Sequence, residues 1–132
     1  MAEDTYITAE MKARIGVESK PTVSFPVDRS LIRLWAISIN WPDPPDRLYW
    51  DEEYAKKSRW GGIIAPPYFN PFAYHIDEAR MAEGPSMSGT PATEPGTRPL
   101  NGGGEAEYTG VPIRPGDVIT SVNRVVDMYE RQ

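Results

Sequence analysis

Apolar positions recur at helical spacing most strongly in residues 29–39 and 69–81. In the first stretch Leu31, Leu34, Trp35 and Ile39 fall on one face that Ile32 widens, and Asp28 stands where a carboxylate caps a helix start. In the second, Phe69, Phe72, Ala73, Ile76 and Ala79 follow at offsets of three, one, three and three, a single apolar stripe. Pro71 fits only a first turn, so this long helix is predicted to begin at Phe69 or Asn70 and run to Met81. Shorter helices are expected over 9–15, between an N-capping Thr8 and Gly16, and through Lys57 after Asp51, with Glu52 and Glu53 near its positive end.

Alternation marks the strands. Thr22-Val23-Ser24-Phe25 alternates briefly, Leu48-Tyr49-Trp50 and residues 105–108 read as extended, and the best strand covers 118–129. There Val118, Val122, Val126 and Met128 share a face interrupted by Thr120 and Arg124. Between these elements, Pro42, Pro44 and Pro45 stiffen a loop that confines Asp43 and Asp46. Gly61-Gly62 forms a turn before the buried step Ile63-Ile64-Ala65, and Pro66-Pro67 follows. Residues 83–99, rich in Gly, Pro, Ser and Thr, lack periodicity and are expected to be a flexible or disordered loop. No internal repeat is visible, and residues 1–132 are expected to form a single α+β domain.

Composition narrows the function classes. The 14 Lys and Arg against 19 Asp and Glu give a formal charge of -5, which argues against holding nucleic acid by phosphate neutralisation. With 0 cysteines there is neither a disulfide framework nor a thiolate metal site. No apolar run approaches the roughly 18 residues of a membrane span, and the acidic start is unlike a signal peptide, so a cytoplasmic protein with no membrane association is expected. The 11 glycines and 14 prolines raise the question of disorder, but 4 Trp and 7 Tyr supply large buried areas to a folded domain.

The chemistry available is sparse. His75 is the single histidine, and Asp43 and Asp46 are acid or base candidates if the stiff loop buries them; carboxylates among prolines are more often solvated turn residues. Lys56, Lys57 and Arg59 are placed to attract phosphate groups, or else form a solvated helix face. Tyr49 either offers its hydroxyl to a carbonyl or is a half-buried strand aromatic. The run Gly102-Gly103-Gly104 lacks the Lys-Ser/Thr of a phosphate loop and reads as a bulge or joint. The four tryptophans are read as packing residues.

Three runs in this order resemble the MaoC-like hydratases and dehydratases: Leu48-Tyr49-Trp50-Asp51-Glu52-Glu53-Tyr54-Ala55, Ser58-Arg59-Trp60-Gly61-Gly62-Ile63-Ile64-Ala65-Pro66-Pro67 and Val111-Pro112-Ile113-Arg114-Pro115-Gly116-Asp117-Val118-Ile119. The likeness is greatest to the family's N-terminal, fatty-acid-synthase-type dehydratase half. It implies a hot-dog fold, a curved antiparallel sheet wrapped around a long central helix, here residues 69–81. It also implies reversible hydration of a 2-enoyl thioester by an Asp and a His, with the carbonyl polarised by a backbone N–H at the helix start. The substrate travels as a coenzyme A or acyl-carrier thioester, and no other cofactor or metal is expected. The substrate wall implied by the resemblance comprises Tyr49, Ile64, Ala65, Pro66, Pro67, Tyr68 and Phe72, with Lys56, Lys57 and Arg59 toward coenzyme A phosphates.

The chain departs from the active pattern at each working part. Tyr49 stands where active members carry the His, Pro44 where they carry the Asp, and Ala65 is followed by Pro66 and Pro67 where they read Ala-His-Gly. A phenol titrating near 10 is a poor base at neutral pH, and proline has no N–H to give. The expectation is a non-catalytic or acyl-binding half, or subunit, that completes the substrate tunnel of a homologous hot-dog partner carrying the Asp and His, in a homo- or hetero-oligomer that binds acyl-CoA. The alternatives are an acyl-CoA or lipid-binding scaffold without turnover, and a hot-dog thioesterase. A complete hot-dog unit has further strands after Tyr129, so a fragment, or a subunit completed by its partner, is expected.

Overall fold

The computed structural model of the chain describes residues 5–73 and 101–131. The chain divides into two compact units, one of Met1–Thr22, Ile76–Glu105 and Ser121–Gln132, the other of Val23–His75 and Ala106–Thr120. Strands Thr22–Val23 (β1) and Thr120–Ser121 (β2) form a two-stranded sheet. Most of the expected 69–81 helix, the whole 83–99 loop and His75 lie outside the described residues.

In the first unit, helix α1 spans Ala9–Ala13, with Thr8 accepting from the Met11 N–H at 3.1 Å. It stops two residues short of the expected end, and Gly16 at φ 80 redirects the chain. Residues 15–19 then run beside 123–125: the Gly16 N–H donates to Val125 O at 2.8 Å and the Ser19 N–H to Asn123 O at 2.7 Å. The Ser19 hydroxyl, rather than a carbonyl, accepts from the Asn123 N–H at 2.9 Å.

The second unit holds the core. Helix α2, Arg29–Asn40, begins where the Asp28 carboxylate accepts from the Ser30 N–H at 2.7 Å and ends at Trp41, whose extended backbone is the conformation Pro42 imposes on its predecessor. Its buried stripe differs from the expected one. Ile32 and Ala36, four apart, are fully buried and flanked by the half-buried Leu31 and Trp35, while Leu34 and Ile39 are 55% and 52% exposed. The stripe is therefore turned toward the smaller residues, because the cluster it joins is small: Val27, Ile32, Ala55, Ile63 and Phe69, with Leu48, Tyr49, Ile113 and Ile119 at its margin.

Residues 48–50 are not extended. The Asp46 carboxylate accepts from the Leu48 N–H at 2.8 Å and closes a 3-10 turn over Arg47–Tyr49, a local bond that prevails over the β-preference of Leu-Tyr-Trp. Helix α3, Glu52–Lys57, follows with Asp51 as its cap, as expected, accepting from the Tyr54 N–H at 3.0 Å. Both α2 and α3 pack on the 3-10 turn.

The long strand expected over 118–129 is reduced to β2 and isolated bridges at Arg124 and Val125. The Ser24 hydroxyl takes the Ile119 N–H at 2.9 Å, as Ser19 does with Asn123, so serine oxygens break the carbonyl ladder, and Pro21 and Pro26 can donate nothing to it. Val118, Val122 and Val126 accordingly do not form a buried face, and Val126 is 79% exposed. Residues 105–108 carry no strand either.

Three stability outcomes follow from this packing. Ile32→Ala deletes the largest fully buried side chain among the described residues and lowers unfolding free energy in urea by roughly 3 kcal/mol. Asp28→Ala leaves the Ser30 N–H unsatisfied and costs about 1 kcal/mol in the same measurement. The Asp51 carboxyl is held below its ordinary value, chiefly by the Tyr54 N–H and then by Arg47. Its contribution is present above the ordinary aspartate range and is lost as pH falls through the depressed folded value, so Asp51→Asn flattens the acid limb of stability measured against pH.

Candidate functional site

Six of the seven expected wall residues follow one another within residues 64–72, and the seventh, Tyr49, packs against the core cluster that holds Ile63 and Phe69. In the apolar step Ile63 and Ile64 are buried, and the Ala65 N–H donates to Ile113 O at 2.8 Å, fixing this segment beside Ile113. The same neighbouring segment is clasped by Arg114, which donates from Nη2 to Trp60 O at 2.7 Å and from its backbone N–H to Asp117 Oδ2 at 2.8 Å.

Pro66 is buried and Pro67 exposed. The Phe69 N–H returns to Pro66 O at 3.2 Å, with Pro67 and Tyr68 at the turn's centre and Tyr68 at φ 62. Proline second and a positive φ third is the type II pattern, whose third position ordinarily favours glycine. A bulky residue there costs roughly 1–2 kcal/mol, which the flanking structure must offset. The Tyr68 N–H lies outside the turn's own hydrogen bond and donates to the hydroxyl oxygen of Tyr108 at 2.9 Å; the two rings meet edge to face at 5.9 Å. Phe69 is buried against Trp35, ring centroids 5.8 Å apart, and Trp35 Nε1 is a buried donor without a hydrogen-bond partner among the described residues.

After Phe69, the Asn70 carboxamide oxygen accepts from the Phe72 N–H at 2.9 Å, and the Ala73 N–H closes a turn by donating to Asn70 O at 3.2 Å. Asn70 with Pro71 behind it has the geometry of a cap and first helical position, although residues 69–73 are not themselves helical, a difference from the expected start. Phe72 is half-buried.

Tyr49 is half-buried at the core's margin. Burial, and then the nearby Asp46 carboxylate, push its phenol above the ordinary value, so at neutral pH it is protonated and a hydrogen-bond donor rather than a base. Asp46 is committed to the Leu48 amide, and Asp43 is exposed, with its N–H on Asn40 O at 2.8 Å. Among the described residues no three His, Asp or Glu side chains converge as a metal site would require.

The three cations part company. Lys56 reaches Glu53 at 3.4 Å and Glu52 at 3.6 Å, and these carboxylates, Glu53 first, raise its pKa. It borders a depression of about 230 Å³ lined also by Arg29, Glu52, Gly61, Gly62, Ile63 and Pro115. Arg29 is paired with Glu52 there at 2.7 Å. Arg59 instead lies over the Trp60 ring at 4.4 Å, and Lys57 is exposed; neither lines the depression.

Sequence reasoning missed Tyr108, which no periodicity distinguishes, and the Arg29–Glu52 pair, whose members stand 23 positions apart. The positive φ at Tyr68 had a partial signal in the two prolines before it. No helix among the described residues is long and apolar enough to cross a membrane. No curated protein and no solved structure matches the chain. A family model described as the FAS1-like dehydratase domain region matches residues 13–132, the greater part of the sequence. With the apolar step, the proline pair and the Arg-Pro-Gly-Asp clasp all inside that match, the chain belongs to the FAS1-like dehydratase family.

Proposed function

We propose that this chain is the acyl-binding, non-catalytic half of an acyl-thioester hydratase or dehydratase, and that a hot-dog partner supplies the Asp and His. In this reading the family's long central helix starts at Asn70, and Tyr49, the apolar step and Phe72 line one side of an acyl tunnel that the partner completes. The observation that carries it is the state of Tyr49: where the resemblance requires an imidazole, a phenol stands whose surroundings hold its proton more firmly than water does. The carboxylates nearby lend no substitute, since Asp46 caps a turn and Asp43 lies in solvent.

Binding is supported by donors placed for an acceptor oxygen. Pro66 and Pro67 have no amide proton, but the Tyr68 N–H stands just beyond them, and the buried Trp35 Nε1 has no acceptor among the described residues. The substrate class is a coenzyme A or acyl-carrier thioester, and the assembly is a dimer of hot-dog units.

Assays of crotonyl-CoA and a bulkier enoyl-CoA test the proposal, using the chain alone, a catalytic hot-dog partner alone, and the two together. The expected result is no hydration by the chain alone and, for the bulkier substrate, a rate with both proteins at least tenfold above that of the partner. Hydration by the isolated chain, or a partner equally active on both substrates without it, overturns the proposal.

A further inference from the structure

The backbone around the proline pair has few amide protons to offer. That of Ala65 is bonded to Ile113 O at 2.8 Å, Pro66 and Pro67 have none, and that of Phe69 closes the turn on Pro66 O. The Tyr68 amide is left to look outward for an acceptor, because a turn closed from its first to its fourth residue makes no use of the N–H at its third position. Its acceptor comes from 40 residues further along the chain, the hydroxyl of Tyr108.

That contact has the character of a removable stopper. Tyr68 and Tyr108 are 71% and 59% exposed, so neither is buried by what it holds, and a hydrogen bond in contact with water has a modest net worth, enough to bias occupancy about fivefold yet not to lock the contact. A phenolic oxygen also presents the same kind of neutral oxygen acceptor as an acyl carbonyl, at an ordinary 2.9 Å. The bulky residue held at positive φ keeps this N–H aimed at one place.

We propose that the Tyr108 hydroxyl occupies the carbonyl-binding position of the Tyr68 N–H and must be displaced before an acyl thioester can use it, making Tyr108 an autoinhibitory residue. The inference rests on the acyl-binding reading above and adds a competitor built into the same chain. Ligand and hydroxyl exclude one another at a single donor, so the apparent affinity is reduced by the fraction of molecules in which the donor is taken.

Tyr108→Phe removes the oxygen and keeps the ring. The full chain and this variant are titrated with butyryl-CoA and with free coenzyme A by calorimetry, and the exchange rate of the Tyr68 amide is followed by nuclear magnetic resonance. The expected result is faster exchange at Tyr68 in the variant and butyryl-CoA binding tightened by about fivefold, the equivalent of one ordinary hydrogen bond, with free coenzyme A unaffected. Tyr108→Ala, which also removes the ring, is expected to tighten butyryl-CoA binding in the same direction, so the outcome does not hang on how one substituted ring settles. Equal butyryl-CoA affinity in the wild type and both variants overturns the autoinhibitory role and leaves the acyl-binding reading standing. Absence of binding in all three proteins overturns both.

Discussion

Ile32 is the side chain on which the second unit depends. In a sequence with few aliphatic residues, one fully buried isoleucine gathers Val27 from before its helix, Ala55 from α3, and Ile63 and Phe69 from the segments around the glycine and proline turns. Each of these lies on a different stretch of chain, so burying one side chain fixes the relation of four segments. The wall candidates Ile64, Ala65 and Pro66 lie between two of those anchors, Ile63 and Phe69. Site and core are thus held by the same apolar contacts.

Carboxylates do the local work that aliphatics cannot. Asp28, Asp46 and Asp51 each accept from a backbone N–H two or three residues ahead and so begin α2, the 3-10 turn and α3. This use of aspartate also shapes the functional reading. A side chain engaged in starting a turn is not free to exchange protons with a substrate, and Asp46, one of the two loop carboxylates, is so engaged. The acidic net charge of the chain therefore reflects in part how its short elements are begun.

What was legible in the sequence follows the range of the forces involved. The caps at Thr8, Asp28 and Asp51 could be read because acceptor and donor lie within three positions. The family could be read because its runs are contiguous, and the matched region 13–132 agrees. The stripe of α2 was displaced, since helical spacing gives a set of apolar faces and the size of the opposing cluster selects among them; Ala36 prevailed over Leu34 and Ile39. The strand over 118–129 failed because its valine pattern says nothing of the partner segment, where Ser19 and Ser24 offer hydroxyls in place of carbonyls. In the site, Tyr49 and the proline pair were visible, whereas Tyr108 and Trp35 acquired meaning only through contacts made across long stretches of chain.

Arg47 joins the capping carboxylate of α3 and an aromatic ring of the same helix in one group. Its guanidinium donates from Nε to the Asp51 carboxylate at 3.0 Å and also lies over the Tyr54 ring, 4.9 Å from the centroid. The planar fork can present an edge to an anion and a face to an aromatic at once, and an ammonium has no such second surface. Lysine at position 47 would preserve the formal charge yet forfeit the simultaneous grip, so charge conservation is a poor guide to tolerated replacement on this rim of the molecule.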